Sequence, residues 1–486
     1  MKISTKELGH ARFGTVLSKL LILVLAVFTI YLLYLNFSFS VANKVLLYSL
    51  IVVPVFFIVY ILSYKINISP KVFSIVVFLL AFLAKGLLAY FIDAKPVSDF
   101  ETFYKCAINL LHGNKEFGHG YYFEMWAYQT GPVIYYAGIM KVVGTSLFPI
   151  KLVNCFFMAG TNLFIYLIAR IFSNEQSARF ISILYLLYPE PYFLAPVLTN
   201  QHFAACMFLL SLYLILNDSI NFYVRTILSG VFMAIGNAVR PLGVILVVSV
   251  LIWGIIEVIS HKKVAKVALV AVVLVSYLLT SFSISTIVMK SDIDPQGLAN
   301  NFPLWKFVIG LNQQSKGEFS YEDEKAVFTS SDLTQRNNTA KKLIAERLSV
   351  GPIKLLKLMN DKQKIMWAQF DTLRWGFYHN VDNNLVPGER LKKYEFSILC
   401  IEKIYYILAF ILLLIGLYRV FMDKKVNSPV VLLSIILMCY FGALALIEIQ
   451  VRYRYFAVIL VFVLAAKGSE LLFEKLKKVR IGTRPQ

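Results

Sequence analysis

Long runs of Leu, Ile, Val and Phe recur along this chain, separated by shorter polar stretches. A run near 20 residues is what a helix needs to cross about 30 Å of hydrocarbon. Twelve runs meet that description: 15–35, 44–64, 71–92, 149–172, 178–196, 201–217, 221–238, 241–259, 264–289, 401–420, 429–449 and 453–470. A further apolar run, GPVIYYAGIMKVVGTSL (131–147), is short, opens with Gly-Pro and carries Lys141. It predicts a re-entrant or interfacial helix, not a crossing. The strict alternation of an outer-membrane barrel is missing. The pattern predicts an all-α polytopic membrane protein of about twelve transmembrane helices, with interfacial or re-entrant helices and a small, mostly helical extracellular segment.

Charge orients this frame. With the N-terminus inside, the cytoplasmic segments hold twenty-one Lys and Arg, against nine in the external segments other than the long one. Basic residues accumulate on the cytoplasmic side, so both termini are expected there. Counting 131–147 as a crossing would invert everything after it and export the basic loops. The first run is too long for a signal-peptide core and no cleavage site follows it, so it is expected to stay as a span. The expected organisation is then two extra membrane helices over 1–70 and a membrane core over 71–289 with a first external loop at 93–148. An extracellular domain or lid follows over 290–400, then C-terminal membrane helices over 401–470 and a basic cytoplasmic tail, 471–486. The lid segment is amphipathic, as in AKKLIAERLSVGPIKLLKLM (340–359).

Composition agrees. Of 486 residues 58% are hydrophobic and 16% charged, against about 25% charged in an ordinary soluble domain. The net charge of +20 is that of basic cytoplasmic loops and points to membrane lipid, not nucleic acid. The five cysteines, Cys106, Cys155, Cys206, Cys400 and Cys439, show no CxxC or His-paired spacing, so neither a disulfide framework nor a zinc site is indicated.

The stretch KPVSDFETFYKCAINLLHGN (95–114) breaks the apolar pattern. Ser98 and Glu101 have the spacing of a capping box. Phe100, Phe103, Tyr104, Ala107 and Leu110 repeat at helical spacing, and Gly113 ends the run. An amphipathic surface helix is predicted, with Asp99 in its first turn, where the helix dipole favours the ionised carboxylate. Such a carboxylate at the membrane boundary could take a proton from an incoming hydroxyl. The plainer alternative is that Asp99 only completes the cap. Other charges stand at the same side: Lys85 within the third span, Arg240 in GNAVRPLG, and Glu448, Arg452 and Arg454 in ALIEIQVRYRYFAV. Singly each reads as a structural ion pair or a snorkelling side chain. Together, one carboxylate and several cations suit a reaction whose leaving group is a phosphate. His112 and His119 of the first external loop are candidates to line the site, although loop histidines are usually solvated. Glu124 is either a second carboxylate or metal ligand, or a surface contact. His202 caps a span, and Trp305, Trp367 and Trp375 are core anchors more readily than sugar platforms.

These residues carry a resemblance. S-D-F-x-x-x-Y-x-x-A-x-x-L-x-x-G (98–113), GPVIYYAGIMKVVG (131–144) and E-x-x-x-R-Y-R-Y (448–455) resemble the GT-C fold membrane glycosyltransferases. Among these the chain looks closest to the protein-mannosyltransferase-like branch (family 39) that includes the aminoarabinose lipid transferases. The similarity spans roughly 71–470, and WKFVIGLNQQSKGEFSYEDE (305–324) resembles Gram-positive members. The resemblance implies transfer of a sugar from a polyprenyl-phosphate carrier to an acceptor outside the plasma membrane. It implies Asp99 as the catalytic acidic residue of the first external loop. Protein O-mannosyltransferases carry an acidic pair at this point, whereas Phe100 follows Asp99 here.

The resulting expectation is an inverting transfer of one sugar from a polyprenyl-phosphate donor to a cell-wall polysaccharide or teichoic acid. Asp99 is the base, and Arg240, Arg452, Arg454 and Lys85 hold the donor phosphate. Glu448 positions one of those arginines, and Glu101, Glu124, His112, His119 and Tyr104 support the site. No particular cofactor is indicated, and dependence on a divalent cation is left open. The functional partners would be a synthase of the lipid-linked sugar and a flippase. The rivals are a flippase or transporter of lipid-linked sugars, and a polysaccharide polymerase or ligase that moves oligosaccharides.

Overall fold

The computed structural model describes residues 5–92, 94–261, 264–330, 332–370, 376, 393–424 and 426–482, and among these every regular element is helical. The N-terminal helices are α1 (Thr5–Ala42), α2 (Ser49–Lys65) and α3 (Pro70–Phe91). A polar connector follows, with α4 (Asp99–Leu111), α5 (Tyr121–Met125) and α6 (Thr130–Val143). Then come α7 (Leu147–Phe172), α8 (Glu175–Leu186), α9 (Pro189–Leu194), α10 (Gln201–Leu216), α11 (Phe222–Val239), α12 (Gly243–His261) and α13 (Val264–Lys290). A second polar segment holds α14 (Leu304–Gly310), α15 (Tyr321–Phe328), α16 (Leu333–Leu348) and α17 (Pro352–Gln363). The chain closes with α18 (Glu395–Met422), α19 (Ser428–Leu446) and α20 (Tyr455–Gly482).

Ten of the described helices are long and apolar enough to cross a membrane. They coincide with ten of the twelve expected runs, so the chain is an all-α polytopic membrane protein. The other two runs give shorter helices. The run 178–196 divides because Pro189 opens a new helix at its first position. Proline lacks the N–H that a continuing helix would donate, and it holds Tyr188 before it in an extended conformation. The run 201–217 becomes α10, 16 residues long, about 24 Å at 1.5 Å per residue. Both short elements are enclosed within the bundle. The run 131–147 forms α6, only 14 residues long.

The bundle is layered around α20, whose apolar window is 83% buried, whereas that of α13 is 22% buried. The exposed Val275, Leu278, Leu279 and Phe282 of α13 are what a lipid-facing helix presents. The central contact of α18 with α20 depends on Gly468, where a Cβ would lie 1.9 Å from the Leu412 carbonyl oxygen.

The second polar segment is built onto the first. Its small core of Phe302, Trp305, Val308, Ile309, Val327 and Ala340 takes in Met125 from the first connector. Ser320 caps α15 and Asp332 caps α16 with side-chain oxygens, and Arg347 pairs with buried Asp323 at 2.5 Å. Lys362 donates from one buried ammonium to the carbonyls of Gly310 (2.8 Å), Ala445 (2.9 Å) and Ile447 (2.7 Å). The segment is thereby fastened to the end of α19.

Candidate functional site

Asp99 is the first residue of α4. The capping box expected around it does not form. Ser98 has φ of +53°, a conformation that turns its hydroxyl away from the cap, and it makes no side-chain cap bond. Glu101 pairs with Lys105 at 2.5 Å one turn on. Asp99 is therefore not held as a cap. Its Oδ1 accepts a hydrogen bond from the Tyr122 hydroxyl at 3.2 Å, and its Oδ2 lies 3.7 Å from Arg452 Nη2. The carboxylate is 39% exposed, which leaves it open to a ligand. Burial, and then the neighbouring Asp99 charge, push the Tyr122 hydroxyl well above the usual tyrosine range, so it remains a donor at neutral pH.

The cation across from Asp99 is placed by a relay. Arg452 stands in a 3₁₀ turn, Val451–Arg454, between α19 and α20. Its Nε donates to Gln450 Oε1 at 2.6 Å, and Gln450 Nε2 donates to Glu448 Oε1 at 3.0 Å. Glu448 is buried and its other oxygen is bonded by Lys306 of α14. The main chain is pinned as well: Glu448 N donates to Lys306 O and Ile449 N to Gly317 O, both at 2.8 Å. Burial works against the Lys306 ammonium, but Tyr453 and then Glu448 outweigh it and hold its pKa above the ordinary lysine value.

Tyr453 is the centre of this group. Arg240 lies 5.6 Å from its ring centroid, Lys306 5.9 Å and Arg452 5.9 Å. Arg240 caps the end of α11 and donates to Asn200 Oδ1 at 3.1 Å. The start of α6 abuts it: a Cβ on Gly131 would lie 1.7 Å from the Ala238 carbonyl oxygen. Three cations thus share one aromatic ring beside two carboxylates, Glu448 and Asp99. Such a grouping, held in place before any ligand arrives, can receive a phosphate and offers a base at its edge.

The other expected residues lie elsewhere. Arg454 is fully buried and donates to the carbonyls of Met366 (2.9 Å) and Gln369 (3.4 Å), with its guanidinium 5.0 Å from the Tyr406 ring centroid. Lys85 is fully buried 5.2 Å from the Tyr192 ring centroid, and its ammonium makes no hydrogen bond among the described residues. Tyr104 donates to Thr145 O at 2.8 Å and holds α4 against the end of α6. His112 ends α4 exposed, and His119 lies 3.9 Å from Asp292 at the surface. Glu124 is exposed and its carbonyl accepts from Asn301. No group of three His, Cys, Asp or Glu gathers among the described residues. His202 bonds Tyr455 at 3.0 Å inside the bundle; Trp305 and Trp367 are core residues; Trp375 falls outside the described residues. The sequence reading missed Lys306, Gln450, Tyr122 and Tyr453. Tyr453 carried a signal, since it sits between Arg452 and Arg454. Lys306 carried little, being one lysine in an amphipathic segment.

Comparisons with known proteins follow this geometry. Residues 130–283 match the family described as dolichyl-phosphate-mannose-protein mannosyltransferase. That region runs from the start of α6 to α13 and contains Arg240. No curated protein matches the chain. Among solved structures, the apo oligosaccharyltransferase of Archaeoglobus fulgidus is 14% identical, covering 73% of this chain and 44% of its own, with a TM-score of 0.38. ArnT of Cupriavidus metallidurans bound to undecaprenyl phosphate is 12% identical, covering 85% and 80%, with a TM-score of 0.32. This chain thus spans less than half the length of the oligosaccharyltransferase.

Proposed function

We propose that this chain is a GT-C fold membrane glycosyltransferase that moves a single sugar from a polyprenyl-phosphate donor to a glycan of the cell wall. The active site would lie on the extracytoplasmic face of the plasma membrane. The dolichyl phosphate in the name of the matched family is itself a polyprenyl phosphate, which supports that class of donor. The observation that carries the reading is the Asp99–Arg452 pair beside Arg240 and Lys306, a base and a phosphate clamp in one place.

The chemistry follows from the contacts. The donor phosphate enters between Arg452 and Arg240 and competes with Asp99 for Arg452. Asp99 then turns its Oδ2 to the acceptor, with Oδ1 kept in place by Tyr122. The acceptor hydroxyl gives its proton to Asp99 as its oxygen attacks the anomeric carbon. The bond from that carbon to the phosphate oxygen breaks, and the cations take up the charge left on the polyprenyl phosphate. Attack opposite the leaving group inverts the anomeric centre. Lys85, a buried ammonium without a hydrogen bond among the described residues, is a second place where an anion would be favoured. The lid expected over 290–400, whose described part supplies Lys306, would cover the site, and α6 would shape the approach to Arg240.

The test is sugar transfer in membranes from a panel of polyprenyl-phosphate hexoses, with label followed into cell-wall polymer. Wild-type protein is expected to transfer one hexose per event and Asp99→Asn to transfer none at equal protein level. Label that crosses the membrane without joining an acceptor would instead mark a transporter, and products that gain several sugars at once would mark a polymerase.

A further inference from the structure

A cavity of about 620 Å³ opens between the first connector and the second polar segment, separated from Asp99 by Tyr122. One wall is Tyr122 and Trp126, whose rings lie 5.3 Å apart at 66°. The other is Tyr321 and Phe328, from the two ends of α15. Phe328 closes the cleft against Trp126 at 6.0 Å and is backed by Trp305 at 5.0 Å. At the rim stand one acid and one base, Glu324 and Lys325. Tyr122 belongs to both places: its ring lines the cavity and its hydroxyl donates to Asp99.

We propose that this cleft is the acceptor subsite and that it takes the uncharged sugar rings of a neutral glycan. Aromatic faces on two sides match the apolar faces of a pyranose ring, and the hydroxyls of Tyr321 and Thr329 match its equatorial hydroxyls. The charge balance decides between acceptors. A polyanionic phosphodiester polymer needs several cations along its path. The lining has one lysine, and the glutamate next to it offsets that charge. Arg336, which packs on the lining, is committed to the rings of Tyr121 (4.9 Å) and Phe328 (5.4 Å) and to the Ser330 carbonyl (2.6 Å), and Arg452, on the far side of Tyr122, is paired with Asp99. A sugar ring seated between the walls would present a hydroxyl toward Asp99, one tyrosine away. This rests on the glycosyltransferase reading above and adds which acceptor is read and by which residues.

The experiment uses the full chain in lipid nanodiscs, without donor. Tryptophan fluorescence is titrated with a panel of neutral oligosaccharides of hexose and N-acetylhexosamine units, a glycerol-phosphate oligomer and a Ser/Thr-rich peptide. At least one neutral oligosaccharide is expected to give a saturable change, absent in Trp126→Phe. Tyr321→Ala should weaken binding tenfold or more. Tyr321 is 80% exposed, so its truncation leaves the fold intact. Lys342→Ala, remote in chemistry from the cleft, should bind as wild type. No response to any neutral oligosaccharide, equal binding by Tyr321→Ala, a signal that survives Trp126→Phe, or tighter binding of the phosphate oligomer or the peptide would each overturn the assignment. Failure of the glycosyltransferase reading registers separately, as no hexose moved from any polyprenyl-phosphate donor.

Discussion

Arg452 and Arg454 stand two residues apart in one 3₁₀ turn, and the protein treats them oppositely. Arg454 is fully buried and its bonds go to main-chain carbonyls of Met366 and Gln369. Those carbonyls belong to the π-helical end of the second polar segment, so the arginine holds two parts of the protein together. Arg452 donates to the Gln450 side chain at 2.6 Å and also faces Asp99 at 3.7 Å and the Phe100 ring at 5.3 Å. A 3₁₀ helix turns about 120° per residue, so positions two apart leave the turn on different sides. A charge bonded to the fold's own carbonyls is part of the scaffold. A charge oriented by a side-chain relay and paired with a partly exposed carboxylate stands where a ligand can reach it.

The largest expected effect tests the ligand-facing side. Asp99→Asn removes the base while keeping the side chain's size and its contact with Tyr122. Transfer should fall about a thousandfold, within the range usual for a lost general base. Thermal unfolding should hardly move, because the carboxylate is partly exposed and is not a helix cap. Turnover measured in membranes at matched protein level checks this. An unimpaired Asn variant would place the chemistry elsewhere and leave the Asp99–Arg452 pair a surface contact.

The comparison itself is tested by truncating each arginine. Arg454→Ala strands two carbonyls and opens a cavity, so stability should drop by about 3 kcal/mol. The protein that remains folded should still transfer. Arg452→Ala should cost less than about 1 kcal/mol of stability, yet cut transfer about a hundredfold through loss of a charge-assisted contact to the phosphate. Unfolding in detergent and donor turnover, measured together, read both. If the two variants lose stability and turnover in the same proportion, the division between scaffold and ligand-facing charge collapses.

Much of this was legible in the sequence, and the limits have physical causes. Ten apolar runs became long helices because hydropathy over 20 residues is a strong constraint. The run 178–196 looked continuous because a proline that starts a helix and one that ends it read alike in composition. Arg240, Arg452 and Glu448 could be found as charges beside spans. Arg454 carries the same signal, and only the turn geometry separates it. Ser98 and Glu101 have the capping spacing, but the backbone at Ser98 takes a conformation that the spacing does not encode. Lys306 and Trp126 are brought to the site by the packing of the second polar segment on Met125, a contact between residues far apart in the chain.

Arg240 sharpens the ligand-facing group one step further from the base. It sits at the end of α11 with Asn200 as its hydrogen-bond partner, and no carboxylate pairs with it among the described residues. Arg240→Ala should raise the donor KM about tenfold, the equivalent of about 1.4 kcal/mol, with a smaller effect on kcat. Arg240→Lys should recover part of that. Unchanged donor KM in both variants would assign Arg240 to the scaffold beside Arg454.

The smallest effect isolates one hydroxyl. Tyr122→Phe keeps the ring that walls the aromatic cleft and deletes the bond to Asp99 Oδ1. A single hydrogen bond contributes about 0.5–1.5 kcal/mol net, so kcat should fall about threefold to tenfold. The acceptor KM should stay as it was, because the stacking surface is untouched. Without the Tyr122 hydroxyl, Arg452 is the one side chain left to orient Asp99 among the described residues, and the carboxylate spends more of its time turned to the cation and less to the acceptor. Steady-state kinetics with the acceptor varied separates the two roles of this residue. A raised acceptor KM at constant kcat would mean that the hydroxyl binds the acceptor and that Asp99 is oriented by Arg452 alone.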